Sequence, residues 1–131
     1  MIALPTEQQV ADLHEHVLAR DGGLPGSRAG TSVGAVLGRL QMNLAYQFDE
    51  PTVSQVAAFA VYAFAVGHPF NDGNKRTALA VGDLILLMNE HHVVASAYEM
   101  ELADLVVDLA AGNVDRDAFL EAYVEMLERA D

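Results

Sequence analysis

The chain has 131 residues, is 52% hydrophobic and carries a formal charge of -12, from 19 acidic and 7 basic side chains. That length fits one domain, residues 1–131, with one core. The absence of cysteine excludes disulfide frameworks, zinc–thiolate sites and thiol nucleophiles, and suits a reducing, cytoplasmic compartment. So acidic a surface repels phosphate backbones, so no direct nucleic-acid role is expected and any phosphate site must be local.

Helical signals dominate from the first residues. Met1–Glu7 has neither the basic region nor the apolar core of a signal peptide. Thr6 and Gln9 form a capping-box pattern, and Val10, Leu13, Val17 and Leu18 follow at helical spacing until Arg20-Asp21-Gly22-Gly23 stops them. The next segment, Gly22–Gly30, holds four glycines and a proline and reads as a loop of unusual backbone angles. A second helix is expected over Thr31–Gln47, with Val33, Val36, Leu37, Leu40 and Leu44 inward, and Asp49-Glu50-Pro51 breaks it.

Thr52 and Gln55 form another capping box. They open a helix that is apolar all round, which belongs at the centre of a core. Its uncharged stretch, Val53–Gly67, is shorter than the ~20 residues that cross a bilayer, so no membrane role is expected. The segment His68–Arg76 then separates it from a fourth helix over Asn74–His91. Val93-Val94-Ala95 reads as extended but too short for a sheet. A fifth helix covers Glu99–Ala111, closed by Gly112, and Asp115 caps a sixth ending near Arg129. The expectation is an all-α bundle of six helices, with the His68–Arg76 loop between the two most buried ones. A site there is held from both sides.

The chemistry concentrates in that loop, which reads His68-Pro69-Phe70-Asn71-Asp72-Gly73-Asn74-Lys75-Arg76. Gly73 permits a tight turn. Asn74, Lys75 and Arg76 open a helix whose first amides have no internal partners and whose dipole is positive there, a ready anion site. Arg76 adds a forked donor, and Lys75, the only lysine in the chain, a mobile charge. Asp72 is either a helix cap or a magnesium ligand, since magnesium takes one or two carboxylates plus phosphate oxygens. His68 is either structural or a general base for an attacking hydroxyl. Phe70 reads as an apolar peg, and Pro69 keeps His68 out of helical geometry. Arg20 either favours its helix dipole or reaches the site. The remaining histidines, His14, His16, His91 and His92, have no metal-binding spacing.

The stretch His68–Ala78 resembles the Fic/Doc (Fido) superfamily. It matches the Doc, or "death on curing", pattern His-x-Phe-x-Asp-Ala-Asn-Lys-Arg-Thr-Ala at Lys75, Thr77 and Ala78, and the Fic pattern at Gly73. Arg20–Gly26 and Gly38-Arg39-Leu40-Gln41 leading to Ala45-Tyr46 extend the likeness. The resemblance implies a six-helix Fic/Doc bundle and a toxin of a toxin–antitoxin system. It implies that His68 activates a target hydroxyl, that Asp72 holds Mg2+, and that Gly73, Asn74, Lys75 and Arg76 cradle the phosphates of ATP. It further implies a target of the elongation factor Tu class and a Phd-type antitoxin. Lys75 stands where Fic enzymes have glycine, and Leu79 where they have a second arginine, so the Doc chemistry, γ-phosphate transfer to a Ser/Thr hydroxyl, is expected. The alternatives are AMP or nucleotidyl transfer and a catalytically silent antitoxin-binding corepressor. No glutamate precedes Gly or Asn, as the inhibitory helix of many Fic proteins requires, so restraint is expected from another chain. From Glu90 onward eleven acidic and two basic residues give either a solvated face or a docking surface for that chain.

Overall fold

A computed structural model describes residues 1–129, which form six α-helices, one 3-10 turn and no strand. The order is α1 (Glu7–Asp21), α2 (Val33–Gln47), α3 (Val53–Gly67), α4 (Asn74–Met88), α5 (Glu99–Ala110) and α6 (Arg116–Glu128), with the 3-10 turn at Ser96–Tyr98. No helix among the described residues is long and apolar enough to cross a membrane.

The starts of these helices follow from their caps. Thr6 and Thr52 each close a complete capping box, the hydroxyl accepting from the N3 amide and the N3 glutamine accepting from the cap amide. Asp115 accepts from Ala118 N–H at 2.8 Å. The second helix starts at Val33, two residues later than expected, because Ser32 is its cap, the hydroxyl accepting from Ala35 N–H at 3.0 Å. The fourth helix ends at Met88, three residues short of His91. There the Asn89 side chain donates to Ile85 O at 2.8 Å, filling a terminal carbonyl, and Glu90 turns left-handed at φ 58°.

Helix α3 is the hub. It packs on α2, α4, α5 and α6, most extensively on α4, and α1 also packs on α4. Eight of its fifteen residues are buried, from Val56 to Ala65, so its lack of a polar face is explained by neighbours on all sides. Gly82 of α4 is required here by contact. A methyl at that position would stand 2.5 Å from Val61 Cγ2 and 2.9 Å from the Tyr123 hydroxyl. The C-terminal helices complete the same core through Leu102, Val106, Leu109, Phe119, Tyr123 and Leu127. Arg129 ties α6 to α5, reaching Glu101 at 2.9 Å and Glu125 at 2.7 Å.

Candidate active site

The loop between α3 and α4 begins with a strained residue. His68 caps α3 in the left-handed region at φ 44°, ψ 58°, where a side chain costs about 1–2 kcal/mol. Pro69 follows and disfavours a right-handed continuation. Phe70 then turns inward and is 5% exposed, the peg expected from sequence. Its ring stacks on His14 at 3.7 Å between centroids and 4° between planes. The His14 Nε2–H donates to the carbonyl oxygen of Asp72 at 2.8 Å. One buried histidine of α1 therefore holds both the peg and the turn of the loop.

Asn74 closes the loop from within. Its Oδ1 accepts from Phe70 N–H at 3.0 Å and its Nδ2 donates to Phe70 O at 2.9 Å. The side chain is used up as a splint, so Asn74 has only its backbone amide to offer a ligand. The glycine loop lies across the same turn. Arg28 N–H donates to Pro69 O at 2.9 Å, and Asn71 N–H donates to Gly26 O at 3.1 Å, an isolated antiparallel bridge between Ser27 and Phe70. Gly23 is required where this loop meets Asp72: its φ is 129°, and a methyl there would meet Asp72 Oδ2 at 3.1 Å and Leu18 Cδ2 at 2.8 Å.

Asp72 does not cap α4 in the usual way. Its Oδ1 accepts from Gly73 N–H at 2.9 Å and its Oδ2 from Leu24 N–H at 3.2 Å. The two amides, Leu24 first, hold its carboxyl below the ordinary carboxylate range, so it stays ionised. The cap position of α4 is Gly73, left-handed at φ 75°, which has no side chain to close the helix. The first backbone bond of α4 runs from Thr77 N–H to Gly73 O at 2.9 Å. The amides of Asn74, Lys75 and Arg76 therefore lack intrahelical partners. By contrast α1, α2, α3 and α6 are all closed by a Thr, Ser or Asp side chain. This open end lies in a cleft of about 420 Å3 lined by Asp72–Arg76, by Leu79, and by Ala103, Val106 and Val107 of α5.

The charged groups around the cleft are unevenly paired. Lys75 has no ion-pair partner among the described residues. Arg76 Nε is 3.8 Å from Asp21 Oδ2, and Arg20 bonds the same oxygen at 2.9 Å. The Arg20 hydrogen bond pulls the Asp21 carboxyl below its ordinary value. Arg20 thus stands one carboxylate away from the open end of α4, a position its sequence neighbours could not reveal. His68 is half-buried, and its pKa is lowered first by burial, then by the charges of Arg28 and Lys75. The imidazole is neutral near pH 7 and able to accept a proton. No cluster of three or more potential metal ligands exists among the described residues. Asp72 suits a cation only with ligands from elsewhere. Another cleft, of about 460 Å3, lies against Met1, Ile2, Leu4 and Leu44, but it carries none of the loop's chemistry.

An ionised carboxylate, an uncapped helix start with adjoining cations, and a neutral imidazole are thus assembled on one turn between the central helices of an all-α bundle. The Fic/DOC family model matches residues 4–86, which include this loop. The chain belongs to the Fic/Doc family. Within it the likeness is to the Doc branch: the chain is 39% identical over 107 residues, 82% of each chain, to the protein named protein kinase Doc of Escherichia phage P1.

Proposed function

We propose that the chain is a cytoplasmic Doc-like toxin that transfers the γ-phosphate of ATP to a serine or threonine hydroxyl of a translation factor of the elongation factor Tu class, arresting translation. The observation that carries the reading is the start of α4, the one helix of the central pair left open at its N-terminus, with Lys75 and Arg76 beside it. The amides of Asn74, Lys75 and Arg76 and the turn at Gly73 cradle the nucleotide's phosphates. Arg76, and Arg20 behind it, exchange Asp21 for a phosphate oxygen. Asp72 fits magnesium, because each oxygen keeps a free lone pair beside its amide bond and the remaining ligands come from phosphate and water. Bound there, the ion neutralises developing phosphate charge.

His68 takes the proton of the acceptor hydroxyl as its oxygen attacks the γ-phosphorus, and the bond from that phosphorus to the departing ADP breaks in line. Lys75 is the feature that favours this orientation of the nucleotide over the one giving AMP transfer. It brings an unpaired charge to the phosphate end of the cleft. Purified protein with elongation factor Tu tests the assignment. Label from γ-labelled ATP is expected on the target, lost with His68→Ala, and label from α-labelled ATP overturns it.

Restraint by a Phd-type antitoxin is supported by the surface of α5. Met100, Ala103 and Val107 recur at helical spacing, and Met100 and Val107 are exposed at 76% and 50%. The stripe runs into the α4 cleft, which Ala103 and Val107 line. An amphipathic helix laid along it reaches the phosphate site. Both α5 and α6 supply buried core residues, so a truncation after Glu99 would remove part of the core with the surface. Val107→Asp on the surface stripe is the informative change, expected to abolish antitoxin binding while leaving the fold intact.

A further inference from the structure

Two arginines of the bundle have no assigned task. Arg28 sits in the glycine loop and Arg39 on α2, and both are exposed. Arg20, Arg76, Arg116 and Arg129 each pair with an acidic side chain. Arg28 and Arg39 pair with none among the described residues, although the chain has 19 acidic residues to choose from. These two unpaired guanidiniums share one cleft. It measures about 380 Å3 and is lined by Arg28, Ala29, Gly30, Thr31, Arg39, Val66 and Gly67, with no acidic residue. The Thr31 hydroxyl oxygen is buried there without any hydrogen-bond partner.

The cleft is fixed to the catalytic loop. The Arg28 amide donates to Pro69 O at 2.9 Å, so this arginine is anchored next to His68. A methyl placed on Gly67, the residue before His68, would stand 3.7 Å from Arg39 Nη2. The cleft shares no residue with the one at the start of α4. His68 follows Gly67 of this cleft in the chain, and its imidazole feels Arg28 here and Lys75 of the other cleft.

We propose that Arg28 and Arg39 form an anion pocket on the acceptor side of His68, which grips an acidic side chain flanking the target hydroxyl of the protein substrate. The inference rests on the phosphotransfer reading above. In-line transfer puts the attacking oxygen and the leaving group on opposite sides of the phosphorus. With phosphates at α4, the groups beyond His68 face the acceptor. A guanidinium pair is matched to a carboxylate in fork geometry, and the half-exposed Val66 adds an apolar wall. The surrounding negative field rejects acidic chains elsewhere, so a carboxylate is held only where these two cations are.

The test uses the intact protein and two acetylated, amidated peptides, Glu-Asp-Ala-Glu-Glu and its neutral counterpart Gln-Asn-Ala-Gln-Gln. Alanine replaces the acceptor, so binding is read without transfer. In 15N–1H spectra the acidic peptide is expected to shift the amides of Arg28–Thr31 and Gly67. Its affinity should exceed that of the neutral peptide by about tenfold, the scale of one charge-assisted contact. Arg28→Gln and Arg39→Gln should each weaken it by a similar factor, while magnesium-ATP affinity stays within about twofold. Both side chains are exposed, and an unchanged thermal midpoint confirms folding. Equal binding of the two peptides overturns the proposal. So does tighter binding at those amides of inorganic phosphate, ATP or single-stranded RNA than of the acidic peptide. Label transfer from γ-labelled ATP by the wild type, measured separately, reports whether the phosphotransfer reading itself stands.

Discussion

Replacing His14 separates the two tasks assigned to it. The side chain is 4% exposed, stacks on Phe70 and donates to the Asp72 carbonyl. His14→Phe keeps an aromatic partner for Phe70 but orphans the carbonyl, a loss of about 1–2 kcal/mol for a half-buried acceptor that water can partly satisfy. His14→Ala loses the bond, the ring stack, itself about 0.5–1.5 kcal/mol, and the packing of a buried ring, for a total of about 3–4 kcal/mol. Urea denaturation followed by circular dichroism measures both, and a thermal scan should show roughly 4 °C lost per kcal/mol for a chain of this size. Because Asp72 and His68 share the loop that His14 holds, phosphotransfer by His14→Phe should fall about tenfold or more even below its unfolding temperature. The reasoning is refuted if His14→Ala costs under about 0.5 kcal/mol, or if both variants lose the same stability, since the stack would then contribute nothing.

Other consequences follow from single residues. His68→Gly should abolish transfer yet leave the protein as stable as wild type or more stable by about 1 kcal/mol, because the left-handed strain is relieved; a clear drop in urea midpoint contradicts this. The depressed pKa of His68 should keep the rate on its plateau at pH values below the usual imidazole midpoint near 6.5, and the acid limb of a pH–rate profile should vanish in His68 variants. The same group is more readily protonated unfolded than folded, so its stabilising contribution is complete above about 6.5 and is lost as pH falls through the lowered value. Asp83 has the opposite sign. Burial first, and Glu99 second, raise its pKa to about 6, so the stability it lends is present below its ordinary value of 3.8 and lost as pH rises through about 6. Asp83→Asn should therefore stabilise the protein at pH 8 by on the order of 1 kcal/mol, allowing for its partial exposure, and much less at pH 4, as paired urea melts would show. Gly73→Ala should be tolerated sterically, since a methyl there stands 3.5 Å or more from Leu18, Val17 and His14, but should cost about 1–2 kcal/mol for its positive φ.

Local signals were legible and long-range ones were not. Thr6-x-x-Gln9 and Thr52-x-x-Gln55 declare helix starts because each cap is completed within four residues. The all-apolar α3 declares its central place for the same reason: burial on every side leaves its mark on every residue. The limits of α2 and α4 differ from the periodicity because Ser32 caps the first and the Asn89 side chain fills the Ile85 carbonyl at the end of the second. The role of His14 lay hidden, because its partner is 58 positions away and the spacing of His14 to His16 said only what it is not. Asn74 reads as a phosphate ligand by position, and only the folded loop reveals that its side chain is committed to Phe70. Arg28 and Arg39 are unremarkable in the chain and distinctive only when every other arginine is seen to be paired. The one trace of Arg39 in the sequence is the Gly38–Gln41 likeness, which names no task.

The central physical claim is that the uncapped start of α4 holds the phosphates of magnesium-ATP. Isothermal titration of the purified protein with ATP at saturating magnesium tests it most directly. The account predicts one binding event per chain, weakened about tenfold or more by Lys75→Ala and by Arg76→Ala while both variants remain folded. A wild-type protein that releases no heat, or a heat unchanged when both cations are removed, contradicts it.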